Sequence, residues 1–94
     1  MTITIITSRY NHAAYLHLAT LVDQGRTDSK LVQHTEDRTV IGDEVYQVAS
    51  ANISNYAGYL PRNLRVIIVG EPDYLLTDLV EFLLKRGIGV EYTL

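Results

Sequence analysis

The residues best placed to do chemistry sit at one junction. Thr7-Ser8-Arg9 closes the β-branched run Thr2 to Thr7 (TITIIT) and leads into a segment whose apolar residues recur at three-and-four spacing. A strand that runs into a helix there leaves unpaired backbone N–H groups at the helix N-terminus, where the helix dipole also favours an anion. Arg9 adds a fixed positive charge in a planar fork suited to phosphate. Thr7, Tyr10 and Asn11 complete the binding candidates of this junction, with His12 as a further titratable group. The competing assignment is purely structural: Ser8 or Asn11 caps the helix while Arg9 lies in solvent. His12 and His17 are five residues apart, not the three or four that put two ligands on one helical face, so no zinc pair is expected.

A second cluster, Ser50-Ala51-Asn52, is built on the same logic. Its small residues let a ligand approach, and Asn can read a base edge or hold a phosphate oxygen; the alternative is again a helix cap. Tyr10, Tyr56 and Tyr59, drawn from 7 tyrosines beside one Phe and no Trp, either stack an adenine-like base or form the boundary of a small core. His34 with Glu36 and Asp37 offers a carboxylate-supported base, although a place at a sheet edge makes the acids a solvated turn. The first strand–helix junction lacks G-x-G-x-x-G, and G-x-x-x-x-G-K-[ST] and G-x-S-x-G are absent, which argues against dinucleotide reductases, P-loop NTPases and hydrolases of those types.

The elements that must position these residues follow from periodicity. Thr2–Thr7 reads as a buried strand, and Asn11–Gln24 as a helix with Ala14, Tyr15, Leu18, Leu21 and Val22 on one face and Gly25 as its C-terminal cap. Lys30–Thr35 is a weak strand; Glu44–Ala49 is a better one behind the turn signal Gly42-Asp43. A short helix over Asn52–Leu60 ends at Pro61, and Arg65–Gly70 (RVIIVG) is a central strand by its continuous apolar run. Asp73–Arg86 is a helix with Leu75, Leu76, Leu79, Val80, Leu83 and Leu84 on a broad face and Gly87 beyond its end, and Val90–Tyr92 closes the chain as a strand. Strands alternating with helices predict an α/β, miniature Rossmann-like fold: a mainly parallel five-stranded sheet with about three helices. If the second and third strands flank the first, the winding reverses between strands one and three, where open α/β sheets bind ligands.

With 94 residues, 47% of them hydrophobic, the chain suffices for one domain over residues 1–94. Eleven acidic residues against 8 basic ones give a net charge of −3, which disfavours duplex nucleic acid but leaves room for a local anion pocket. No cysteine is present, so thiolate chemistry and disulfides are excluded; without a membrane span or signal pattern, a cytoplasmic protein with no metal and no cofactor is expected.

The segments TIITSRYNHAAYL, IGDEVYQVASANISNYAGYL, RVIIVG and RGIGVEYTL together resemble a family of small stand-alone Rossmann-like, CARF-like accessory proteins of type III CRISPR systems, counted among the ring nucleases. Ser8-Arg9 matches the family's Thr/Ser-Arg junction, and Gly42-Asp43 its Gly-Asp before the third strand. Tyr10-Asn11-His12 stands where the family has His-Pro-Gly, and Ala49-Ser50-Ala51-Asn52 replaces a Thr-Leu-Pro-like loop. The resemblance implies a cyclic oligoadenylate ligand, cyclic tetra-adenylate in the first instance, whose removal switches off the antiviral response. It implies metal-independent attack by the ribose 2′-hydroxyl. Together with the junction and loop residues read above, this makes Arg9, Ser8 and His12 the catalytic candidates and Thr7, Tyr10, Asn11, Ser50, Ala51 and Asn52 the ligand-binding ones. A symmetric ring would be met by a homodimer. The alternatives are a module that sequesters the nucleotide uncut, and an acidic protein-interaction domain.

Overall fold

A computed structural model describes residues 2–35, 37–70 and 73–93. Glu36 and the side chain of Leu75 lie outside the described residues. The strands are β1 (Ile3–Thr7), β2 (Val32–His34), β3 (Arg38–Ile41), β4 (Glu44–Val48), β5 (Leu64–Val69) and β6 (Gly89–Thr93); the helices are α1 (Asn11–Thr27) and α2 (Thr77–Lys85). They form one α/β unit whose six-stranded sheet has the order β2-β3-β4-β1-β5-β6.

The sheet is mixed rather than mainly parallel. β4, β1, β5 and β6 run parallel, whereas β2, β3 and β4 form an antiparallel meander. The added strand is β3, which lies inside the stretch expected to be a connection. It exists because Gly42 adopts φ +60°, so Gly42-Asp43 closes a two-residue hairpin of the type that places Gly first. β1 is flanked by β4 and β5, not by β2. As the continuous apolar runs imply, β1 and β5 are central: Ile5, Ile6, Val66 and Ile68 are all at most 1% exposed. Each such fully buried side chain contributes about 1.5–3 kcal/mol of transfer free energy.

α1 covers one face through Ala14 and Leu18, which pack on Ile6, Val48 and Ile67. The helix does not stop at Gly25. It continues to Thr27, because Gly25 is a packing position: a Cβ there would lie 2.9 Å from Ile41 Cγ2 and 3.2 Å from Val32 Cγ2. The true end is a Schellman motif in which Ser29, at φ 59°, takes the left-handed position, with Ser29 N–H on Arg26 O and Lys30 N–H on Gly25 O.

The other face is covered by α2 and by residues 49–63. Leu79, Leu83, Leu76 and Ile88 pack with Tyr56 on Ile5, Val66 and Ile68. Asn52–Leu60 forms no α-helix; a 3-10 turn at Ile53–Asn55 and a second at Pro61–Asn63 replace the third helix. Likewise α2 begins at Thr77 behind a 3-10 turn at Tyr74–Leu76, and Leu84 is exposed rather than part of the core face. Its end is as the sequence predicts, with Gly87 at φ +75° and Ile88 N–H returning to Leu83 O. No described helix is long and apolar enough to cross a membrane.

Candidate functional site

β1 hands the chain to α1 on one face, while β5 hands it to α2 on the other, so the backbone parts between the carboxyl ends of these two neighbours. Such a divergence is where open α/β sheets take ligands. A depression of about 540 Å³ opens there, lined by Ser8, Arg9, Tyr10 and Ala13 from the β1 side and Val69, Gly70, Asp73, Tyr74 and Leu76 from the β5 side.

Each lining group has a local reason for its place. Ser8 is buried and ties the two loops together, its hydroxyl donating to Val69 O at 2.9 Å and accepting from Tyr10 N–H at 3.4 Å. Ser8 is therefore a strap, not the helix cap. The residue preceding α1 is Tyr10, which offers no side-chain cap, and no acidic residue occupies the first turn. The N-terminal end of α1 thus keeps its partial positive charge uncompensated by an acid of its own helix. Arg9 does not lie free in solvent: its guanidinium reaches across the mouth to Asp73 Oδ2 at 3.2 Å and stacks over the Tyr10 ring at 5.2 Å. At 46% and 18% side-chain exposure this pair is worth only about 0.2–1 kcal/mol. Tyr10 is 64% and Tyr74 81% exposed, leaving two aromatic faces at the rim.

The remaining candidates divide. Asn11 and His12 are exposed in the first turn of α1, beside but not lining the depression. Thr7 is fully buried, and among the described residues its Oγ1 has no partner in hydrogen-bonding geometry. Ser50, Ala51 and Asn52 lie at the end of β4, on the opposite side of β1 from the depression, and do not line it. Their polar groups are spent locally: Ser50 O accepts from the Tyr56 hydroxyl at 3.0 Å, and Asn52 Oδ1 accepts from Ser54 N–H at 3.1 Å, which caps the 3-10 turn. Tyr56 is a core residue and Tyr59 packs beside it, so of the three expected stacking tyrosines only Tyr10 reaches the mouth. Burial raises the Tyr56 hydroxyl above its usual pKa, against the opposing influence of the neighbouring Thr7 hydroxyl.

Gly70, Asp73 and Tyr74 were not legible as site residues because Asp73 reads equally well as a helix start. Their signal was a Gly at the end of the strongest strand followed by an acid and an aromatic residue. The histidines contribute no second centre. His34 Nδ1 bonds Thr39 Oγ1 at 2.6 Å across β2 and β3, with Asp37 exposed nearby, and burial lowers the pKa of His17. Among the described residues no cluster of three or more His, Asp or Glu side chains is arranged to hold a metal ion. The site can therefore offer one guanidinium, a helix N-terminus, a carboxylate and two aromatic faces. No protein-family model, curated protein or solved structure matches this chain.

Proposed function

We propose that the crevice between β1 and β5 binds a nucleotide through its phosphate, and that the ligand is the cyclic oligoadenylate implied by the family resemblance. The observation that carries the reading is the convergence of Arg9, the acid-free start of α1, Tyr10 and Tyr74 on one mouth. Arg9 and the helix start suit a phosphate, and the tyrosine faces suit a base. A miniature Rossmann-like domain of the CARF type, working in the cytoplasm, belongs to the same proposal. The depression, at about 540 Å³, is the size of a small-ligand site, so a homodimer would present two such mouths to one symmetric ring.

In this reading the ring opens without a metal. The ribose 2′-hydroxyl attacks the adjacent phosphorus, the bond to the 5′-oxygen breaks, and a 2′,3′-cyclic phosphate is left beside a free 5′-hydroxyl. Arg9 leaves Asp73 to meet the charge that builds on the phosphoryl oxygens, and the closure of type III CRISPR signalling follows from loss of the ring. The second reading, sequestration without cleavage, is favoured by the absence of histidine from the described lining of the crevice, His12 being to one side of it. Incubation with labelled cyclic tetra-adenylate separates the two: ring-opened products support cleavage, retained intact ring supports sequestration, and no binding overturns the nucleotide reading.

A further inference from the structure

Asp73 is the one acidic residue among the described lining of the crevice, and it faces the cation that a phosphate would need. Its position is set by the chain, since Asp73 O accepts from Leu76 N–H at 2.9 Å at the head of the turn before α2. We infer that Asp73 determines the ligand class of this crevice by accepting a ribose 2′-hydroxyl while Arg9 takes the neighbouring 3′-phosphate. The inference rests on the nucleotide reading above.

With Asp73 in place the pair is neutral, so a bare anion gains little from Arg9 and must compete with a carboxylate that is already there. A ligand that brings a hydroxyl together with its phosphate satisfies both partners at once. An ionised carboxylate has about four lone-pair positions, so it can accept from a hydroxyl beside the partners it already holds. The 2′-hydroxyl and 3′-phosphate of a ribonucleotide stand on adjacent carbons, so one sugar can meet Asp73 and Arg9 side by side at the mouth they both line. A deoxyribonucleotide has the phosphate and lacks the donor, and this is the difference by which proteins tell the two sugars apart. The rim tyrosines hold either base equally, so they add affinity without sugar preference.

Titration calorimetry of the whole chain with adenosine 3′-monophosphate, its 2′-deoxy analogue and inorganic phosphate tests this. The wild type is expected to favour the ribonucleotide about tenfold, the scale of one hydrogen bond to a charged group. Asp73→Ala should abolish that preference while raising affinity for inorganic phosphate about tenfold, a pairing of effects that a merely structural role would not produce. Asp73→Asn keeps an acceptor and the side-chain shape, so if the alanine variant fails to fold, gain of phosphate affinity in the asparagine variant carries the test. Equal binding of the two sugars by the wild type, a preference that survives Asp73→Ala, or phosphate affinity unchanged in Asp73→Asn overturns the inference alone. No binding of any of the three probes by the wild type overturns the nucleotide reading as well.

Discussion

Gly25→Ala measures how tightly α1 is seated on the meander, and its sign is decided by the structure. In an open helical position the substitution would stabilise by about 1 kcal/mol, the difference in helix propensity. Here the added Cβ meets Ile41 Cγ2 at 2.9 Å and Val32 Cγ2 at 3.2 Å, both well inside ordinary carbon contact. Both neighbours are β-branched, so their methyl groups cannot swing aside without an unfavourable rotamer, and Ile41 is 7% exposed with little free space to move into. Relief must come from lifting the helix off β2 and β3. Overpacking of this kind costs about 1–3 kcal/mol, so the net expectation is a loss of about 1 kcal/mol, or roughly 4–8 °C in melting temperature for a domain of this size. Urea unfolding followed by circular dichroism gives the number. A variant as stable as the wild type, or more so, refutes the close approach and restores Gly25 to an ordinary helical site.

Two further outcomes follow from local geometry. Ser29→Gly should stabilise by about 0.5–1 kcal/mol in the same urea assay, because removing the Cβ relieves the left-handed strain at φ 59° by more than the added backbone freedom costs. Tyr46 is pushed from 10.0 up to about 12, by burial first and then by its hydrogen bond to Glu44, so its contribution to stability is complete below pH 10 and is lost as pH rises to about 12; spectrophotometric titration should find this late phenol, and Tyr46→Phe should remove that part of the alkaline loss.

What the sequence made legible was whatever depends on a single run of residues. β1 and β5 announced themselves because side chains buried on both faces need no alternation, and α2 ended where Gly87 could take a left-handed turn. β3 did not, since Arg38-Thr39-Val40-Ile41 is short and one of its two buried positions, Thr39, is polar, satisfied by His34 across the ladder. Gly25 misled because a glycine after an apolar stripe reads as a cap, and only the approach of Ile41 from β3 reveals its use. The junction at Ser8-Arg9 was visible for the same reason as β1. Its partner was not: the choice between the loop after β4 and the loop after β5 depends on which sides of β1 those strands occupy, and strand order is a long-range property. Hence Ser50, Ala51 and Asn52 read as site residues in the sequence, whereas Asp73 and Tyr74 become so only once the strand order is known.

The central claim is that Arg9 acts on the phosphate of a nucleotide in this crevice, and turnover of labelled cyclic tetra-adenylate by wild type, Arg9→Ala and Arg9→Lys tests it most directly. Arg9→Ala should lower cleavage by roughly 10² to 10³, the scale of one preorganised donor to a developing anion. Its melting temperature should hardly change, because the exposed pair with Asp73 contributes at most about 1 kcal/mol. Arg9→Lys should restore part of the rate, since a point charge lacks the planar fork. Full binding and cleavage by Arg9→Ala, or a wild-type chain that neither binds nor opens the ring, would contradict the claim.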